Sequence, residues 1–226
     1  METAKKTSSR KSAAKQTQPD KIMAAYKEHV LTHGHQPPSV YKFCLDAGIT
    51  EDEFYQHFGS FEGLERVIWK EFIDQTINRL QADNSFNNFN TRERVLAFYF
   101  TLLETLRPER SLVLLYLNDV KRLEVTPAFL RSFRESFDAF FTTLLAEGKQ
   151  RGDVATRPYL EKQYPRLFWL HLGFILTFWK QDDSAGFERT DAAVEKSVNL
   201  AFDLIGTGAL DSALDFGKFL YQQHKF

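Results

Sequence analysis

The sequence has one cysteine, Cys44, among its 226 residues, which excludes an internal disulfide framework. Its 29 basic and 30 acidic side chains nearly cancel, so nucleic acid cannot be bound through overall charge alone. No apolar run reaches the roughly 18 residues that a membrane-spanning helix needs, and no signal peptide opens the sequence. We therefore expect a cytoplasmic protein without a membrane span.

The residue patterns that mark common enzymes are also missing. The sequence has no nucleophile–base pair, no cluster of metal ligands at a known spacing and no glycine-rich phosphate loop. His29, His33 and His35 lie close together, but only the first two share a helix face, and no thiol or carboxylate completes a ligand set. We predict a binding protein that uses no cofactor and no metal, and not an enzyme.

Aromatic residues, in contrast, are abundant. They make up 15% of the chain, and 22 of them are phenylalanine. Apolar side chains recur at helical spacing over most of the length, and no segment shows a convincing strand pattern. The sequence predicts an all-α protein with an interior lined by aromatic rings, long enough for one large or two small domains.

Two short helices joined by a tight turn are predicted within residues 40–64. Gly48 follows the first helix, where a glycine in the left-handed conformation commonly ends a helix. Thr50 and Glu53 have the spacing of a capping box at the start of the second helix, and Phe54 would pack that helix against the first. This is the pattern of a helix-turn-helix, whose second helix enters the major groove in DNA-binding versions.

Residues 47–50 (AGIT), residues 54–58 (FYQHF) and Leu64 resemble the DNA-binding domain of the TetR family of bacterial transcriptional regulators. The resemblance covers about residues 20–80, and beyond them it is one of architecture. It implies an all-α, TetR-like fold, with an N-terminal three-helix helix-turn-helix domain and a larger helical domain for ligand binding and dimerisation.

We divide the sequence into three parts on this basis. Residues 1–19 form a polar arm, predicted to be disordered, with five basic side chains and one acidic one. Residues 20–81 form the helix-turn-helix domain with a connecting helix, and Asp20 is the predicted N-cap of its first helix. Residues 91–226 form the ligand-binding and dimerisation domain.

The resemblance assigns phosphate contacts to Thr50, Tyr55 and His57, while Lys42 and the basic arm would add positive charge. Two features oppose DNA binding. The recognition helix begins with the three carboxylates of residues 51–53, although phosphate contacts dominate affinity for DNA. The helix-turn-helix domain carries six basic and ten acidic side chains, a net charge of −4, where a basic contact face is expected.

Beyond residue 90 the pattern predicts five helices and a short amphipathic C-terminal segment. The helices cover residues 91–106, 110–122, 126–147, 160–180 and 191–205, and the segment covers residues 210–226. The fourth helix is apolar around almost its whole circumference, more than the core of one subunit can cover. The resemblance implies that the last two helices pair with their copies, so we expect a homodimer.

Three of these helices bring aromatic side chains to their inner faces. We predict a largely apolar cavity for a small hydrophobic ligand, lined by Phe98, Phe133, Phe137, Phe140, Phe168, Trp169 and His171. The alternatives are a solid aromatic core and a core histidine whose hydrogen bonds are satisfied internally.

Two functional hypotheses remain. The first is a ligand-responsive transcriptional regulator whose homodimer binds operator DNA. The second is a protein of the same fold that has lost sequence-specific DNA binding and binds a lipid or another hydrophobic molecule. The acidic start of the recognition helix favours the second, and the complete helix-turn-helix core favours the first.

Overall fold

The computed structural model describes residues 17–119, 126–157 and 163–206. The chain divides into two compact units, Met1–Gly59 and Ser60–Phe226. The described residues form α-helices joined by turns and short 3-10 segments, without a β-strand, which confirms the predicted all-α class. No helix within this part of the chain is long and apolar enough to cross a membrane.

The described part of the first unit consists of three helices, α1 (Gln18–His33), α2 (Val40–Ala47) and α3 (Glu51–His57). Each contributes one ring to a shared core. Tyr26 of α1 and Phe54 of α3 both meet Phe43 of α2 edge to face, with ring centroids 6.0 Å apart in each pair. All three side chains are buried, so edge-to-face aromatic packing joins the three helices.

The turn between α2 and α3 has the predicted geometry. Gly48 adopts the left-handed conformation with a φ of 66°, which a residue with a side chain would adopt only with strain. The Glu53 N–H donates to the Thr50 hydroxyl at 3.1 Å, and the Thr50 N–H donates to the Glu53 carboxylate at 2.8 Å. This reciprocal pair is a capping box, so the predicted start of α3 is confirmed.

The predicted start of α1 is wrong. Asp20 does not precede the helix as its N-cap but lies in its first turn, since α1 begins at Gln18. The Asp20 carboxylate accepts a hydrogen bond from the Thr17 N–H at 2.9 Å, and Pro19 is tolerated in the first turn because no helical partner is needed there. Of the predicted arm over residues 1–19, residues 1–16 lie outside the described residues.

The described part of the second unit consists of six helices: α4 (Phe61–Ala82), α5 (Thr91–Leu106), α6 (Arg110–Asp119), α7 (Arg131–Arg151), α8 (Tyr164–Gln181) and α9 (Glu188–Ile205). Helix α4 packs against α5 and α7, and α5 also packs against α9. Helix α8 packs against both α7 and α9. Their shared interior is the aromatic core of the unit.

Arg94 of α5 ties the start of this bundle together. Its buried guanidinium donates to the backbone oxygens of Phe86, Asn87 and Phe89, and it forms a 2.6 Å ion pair with Glu147 of α7. The buried cation is thereby paired and hydrogen-bonded, which a buried charge requires.

Helix α7 differs from the prediction at both ends. It begins at Arg131 and not at residue 126, because a 3-10 turn over Ala128–Leu130 precedes it. The helix also continues beyond Glu147 to Arg151 and ends at Gly152, which has a φ of 82°. Glycine in the left-handed conformation is a common helix terminator. Gly152 has this role here, whereas Gly148 lies within the helix.

Some predicted segments extend beyond the described part of the chain. The helix predicted over residues 110–122 is described up to Asp119, and the helix predicted over residues 160–180 is described from Tyr164. The predicted C-terminal segment over residues 210–226 lies outside the described residues.

Candidate DNA-binding and ligand-binding sites

Helix α3 presents most of its surface to solvent. Phe54 is its one buried residue, whereas Tyr55 is 52% exposed and His57 is also exposed. The other two predicted DNA contacts have side-chain partners: the Thr50 hydroxyl belongs to the capping box, and Lys42 Nζ lies 2.5 Å from the Asp46 carboxylate. All four predicted contacts are exposed, but the side chains of Thr50 and Lys42 are already engaged in these interactions.

The first turn of α3 is acidic, as its sequence requires. Glu51 and Asp52 are exposed, and Asp52 accepts a hydrogen bond from Gln56 Nε2 at 2.8 Å. The backbone N–H and hydroxyl of Thr50 lower the pKa of Glu53, so this carboxylate stays charged at neutral pH. The carboxylates stabilise α3 through its dipole, but they occupy the end where a phosphate would approach.

The three neighbouring histidines of the first unit form a ring cluster. His29 and His33 stack with centroids 4.1 Å apart, and His35 lies 6.3 Å from His29. Among the described residues, no group of three or more His, Cys, Asp or Glu side chains is placed to hold a metal ion. Burial and the neighbouring His33 and His35 lower the pKa of His29.

In the second unit, the predicted ligand-binding aromatics form a packed ring cluster. Phe141 of α7 lies at its centre, with ring centroids 5.0 Å from Phe98, 4.2 Å from Phe137 and 5.1 Å from Phe168. Trp169 continues the cluster at 5.5 Å from Phe137. Rings at these distances are in direct contact, so Phe98, Phe137 and Phe168 pack mainly against other rings.

A small apolar cavity of about 30 Å³ lies beside this ring cluster. Of the seven predicted residues, Phe133 and Trp169 line it. The complete lining is drawn from α4 to α8 and the turn before α7: Trp69, Leu106, Leu117, Pro127, Leu130, Phe133, Trp169, Leu172, Gly173 and Leu176. A ligand larger than a water molecule therefore has to widen this space.

Trp69 of α4 was not among the predicted ligand contacts, although it is one of the largest fully buried side chains. The signal available in the sequence was its helical spacing to Phe72 and Ile73, which places it on the inner face of α4. Its indole Nε1 is buried and has no hydrogen-bond partner within the described part of the chain.

Phe140 has a different environment from the other predicted residues. Its ring stacks on Phe98 at 5.3 Å, but the side chain also lines an open surface groove of about 530 Å³. Ile77 and the ion-paired side chains of Arg94 and Glu147 line the same groove. Phe140 is thus separated from the apolar cavity by the ring cluster.

His171 lies between α5 and α9, within a chain of hydrogen bonds. Its Nδ1 is 2.8 Å from the Tyr99 hydroxyl, and its Nε2 is 2.8 Å from the Ser197 hydroxyl. Burial lowers the pKa of His171 from 6.5 to about 4. This is the arrangement of a core histidine with satisfied hydrogen bonds, and neither Tyr99 nor Ser197 was among the predicted contacts.

Comparison with known proteins decides the family. A family model described as the tetracyclin repressor-like C-terminal domain matches residues 94–220, more than half of the chain. The chain belongs to the TetR family. No curated protein sequence matches it.

Several solved structures share the fold at low sequence identity. A protein assigned to the TetR-family regulators from Syntrophomonas wolfei has 15% identity and a TM-score of 0.66, over 82% of this chain and 94% of its own. The fatty acid degradation regulator FadR from Bacillus halodurans has 16% identity and a TM-score of 0.60, over 79% and 96%. A regulatory protein of the family from Rhodococcus RHA1 has 17% identity and a TM-score of 0.55, over 86% and 100%.

The second unit of this TetR-family protein exposes an apolar face on α8 and α9. Five large side chains of this face are between 38% and 60% exposed: Leu167, Leu170, Phe174, Leu200 and Leu204. Helices α8 and α9 pack against each other, and a group of large exposed apolar side chains on neighbouring helices is typical of an interaction site.

Proposed function

We propose that this TetR-family protein is a homodimeric transcriptional regulator that binds operator DNA through α3 and responds to a small apolar ligand in its second unit. The exposed pair Tyr55 and His57 carries this proposal, since both residues stand where the family motif contacts phosphates. In a dimer, two such helices would enter successive major grooves, about 34–36 Å apart.

Dimerisation through α8 and α9 is supported by the apolar face that both helices expose. Leu167 and Leu200, one on each helix, are 50% and 60% exposed. Pairing each face with its copy would remove these side chains from water. Such burial stabilises an assembly by about 25 cal/mol for each Å² of apolar surface. An obligate interface of this kind buries roughly 2,000 Å² or more.

Sedimentation equilibrium tests the dimer. We expect the unaltered protein to be dimeric at micromolar concentration, and the double variant Leu167→Glu, Leu200→Glu to be monomeric because four carboxylates would be buried at one interface. Leu31→Glu, at a 46% exposed position of α1, is the control and should remain dimeric. A monomeric unaltered protein would contradict the proposed assembly.

The acidic first turn of α3 sets the expected strength of DNA binding. The described residues of the first unit carry three lysines and six carboxylates, and one of those lysines, Lys42, is paired with Asp46. Affinity for DNA depends on phosphate contacts by cations. We therefore expect the protein to bind duplex DNA no more tightly than about micromolar at physiological salt, with the arm over residues 1–16 supplying much of the charge.

Fluorescence anisotropy with duplexes selected from a random-sequence pool tests this expectation. The double variant Glu51→Lys, Asp52→Lys should bind DNA at least several-fold more tightly, whereas Glu53 is left unchanged because it caps α3. Glu28→Lys, on exposed α1 surface, is a charge control that adds half of the positive charge that the double variant adds. Removal of residues 1–16 should weaken binding and reduce its salt dependence. Nanomolar, sequence-selective binding by the unaltered protein would refute the expected weakness and establish operator recognition.

The second candidate function is an apolar-ligand-binding protein without operator recognition. The exposed carboxylates of Glu51 and Asp52 favour it. If the selection enriches no sequence, and the Glu51→Lys, Asp52→Lys variant binds all duplexes equally, this candidate replaces the regulator. The proposed ligand site is the same for both.

A further inference from the structure

The apolar cavity of the second unit has one notable polar feature. Among the ten described residues that line it, the side chains carry no polar group apart from the indoles of Trp69 and Trp169. The Trp69 side chain is 1% exposed, and its Nε1 has no hydrogen-bond partner among the described residues. Buried donors are nearly always paired in native proteins, because an unpaired donor forfeits its hydration without compensation.

The immediate neighbours of Trp69 offer carbon surfaces. The rings of Tyr116, Phe129 and Phe133 lie with centroids 5.8, 5.1 and 6.4 Å from the indole. The one hydroxyl among them, on Tyr116, is bonded to the Glu65 carboxylate at 2.8 Å. None of these rings accepts a hydrogen bond from the Trp69 N–H, and Trp69 lines the cavity, so a molecule held in the cavity is the candidate acceptor.

Water is a poor occupant of this cavity. A space of about 30 Å³ is large enough for one water molecule. A buried water, however, typically makes about three hydrogen bonds and needs at least two polar partners. Among the fully buried side-chain atoms of the described lining, the Trp69 N–H is the one unpaired polar group. An organic oxygen that needs only one hydrogen bond therefore fits better than water.

A charged ligand is also disfavoured. No cationic side chain is among the described residues that line the cavity. The guanidinium of Arg134 lies over the ring of Trp169, one of the lining residues, with its Cζ 5.1 Å from the ring centroid. It already donates to the Thr126 hydroxyl at 2.6 Å and interacts with the Asp138 carboxylate at 3.3 Å. A carboxylate held by one indole N–H would be a buried charge without adequate compensation.

We propose that Trp69 determines the ligand class of this cavity: its indole N–H donates a hydrogen bond to the single acceptor of a neutral, otherwise apolar molecule such as a ketone or an ester. This inference rests on the proposed apolar-ligand function and specifies the chemistry of that site. Because such a molecule is larger than the cavity, binding widens the space between α4 and α8.

Isothermal titration with three probes of similar shape tests the proposal. Acetophenone carries the neutral acceptor, ethylbenzene replaces it with a methylene group, and benzoate replaces it with a charge. We expect acetophenone to bind about tenfold more tightly than ethylbenzene, as one hydrogen bond to a buried donor implies. Benzoate should bind more weakly than acetophenone.

Trp69→Phe removes the N–H and keeps an aromatic ring. The variant should lose the preference for acetophenone, because the buried carbonyl would be left without a donor, while Trp179→Phe, which removes a different buried indole, should keep the preference. In the unaltered protein, the indole ¹H–¹⁵N resonance of Trp69 should shift downfield with acetophenone and not with ethylbenzene. That measurement remains informative if Trp69→Phe folds poorly.

The outcomes separate this inference from the function on which it rests. Equal affinities for the two neutral probes in the unaltered protein, or tightest binding of benzoate, would overturn the role of Trp69 while leaving an apolar-ligand site. Binding of none of the probes would overturn both.

Discussion

His171 makes a testable contribution to the pH dependence of stability. The Ser197 hydroxyl donates to the backbone oxygen of Ala193 at 2.5 Å, so it accepts from His171 Nε2–H at 2.8 Å. Nδ1 then has no hydrogen and accepts from the Tyr99 hydroxyl at 2.8 Å, which is a shorter contact than the 3.3 Å between that hydroxyl and the backbone oxygen of Phe168. The network therefore favours the neutral imidazole in one tautomer and joins α5, α8 and α9 through it.

The sign of the effect follows from the shifted pKa. Burial lowers the pKa of His171 from 6.5 to about 4, so the unfolded chain binds a proton more readily than the folded one between these values. The contribution is fully present above pH 6.5 and is lost progressively as the pH falls towards 4. At about 1.4 kcal/mol per pKa unit, the loss amounts to about 3 kcal/mol of unfolding free energy.

The assay can be confined to the second unit, because Trp69, Trp169 and Trp179 all lie in it. We would follow urea unfolding by tryptophan fluorescence at pH 7, 6, 5 and 4, for the unaltered protein and for His171→Gln. The unaltered protein should be more stable at pH 7, and its advantage should shrink by about 3 kcal/mol by pH 4.

A comparison of two variants isolates the histidine. Other groups with lowered pKa values, such as His29 and Asp153, are present in both proteins and cancel in the difference. Tyr99→Phe, which keeps His171, should retain most of the pH dependence even though it lowers stability at every pH. Parallel curves for the unaltered protein and His171→Gln would refute the argument.

Two further predictions concern stability. Gly148→Ala should destabilise the second unit by about 1–3 kcal/mol in urea titration. The added Cβ would lie 2.6 Å from Thr91 Oγ1, and Thr91 cannot easily move because its hydroxyl donates to Asp153 at 2.7 Å. Equal or greater stability of the variant would contradict this. Asp182→Asn should lower the thermal unfolding midpoint, because hydrogen bonds from Ser184 and Thr190 to the Asp182 carboxylate outweigh the effect of burial and lower its pKa. An unchanged midpoint would contradict the importance of these hydrogen bonds.

Features that depend on residues close in the chain could be predicted from the sequence. The left-handed Gly48 and the Thr50–Glu53 capping box involve neighbours within a few positions, and both are found as predicted. The error at Asp20 is of the same local kind. A carboxylate serves equally well before a helix or in its first turn, and the sequence did not distinguish these positions.

Features that join distant residues could not be predicted. Arg94 pairs with Glu147, 53 residues away, and Asp153 accepts from Thr91, 62 residues away. Nothing in the sequence selects these partners from the many other charged and polar side chains. The unpaired indole N–H of Trp69 could not be predicted for the same reason, because its surroundings are formed by residues of five helices, α4 to α8.

The predicted ligand-binding residues show a further limit of sequence patterns. Phe137 and Phe140 are three residues apart on α7 and share its apolar side, yet Phe137 is fully buried among rings whereas Phe140 reaches a surface groove. A helical pattern predicts which side faces the interior. The rotation of each helix, which decides between packing and lining a cavity, is fixed by its neighbours.

Helix α8 connects the two sites proposed for the second unit. Since each residue turns an α-helix by about 100°, the cavity-lining Trp169, Leu172 and Leu176 share one face, and the exposed Leu170 and Phe174 lie on the far side. A packed helix moves as a body. A ligand that widens the cavity against α8 would therefore displace the face proposed for dimerisation. The His171 hydrogen bonds to α5 and α9 oppose that displacement. Removing them should therefore lower the free energy needed to widen the cavity, and we expect His171→Gln to raise the affinity for acetophenone.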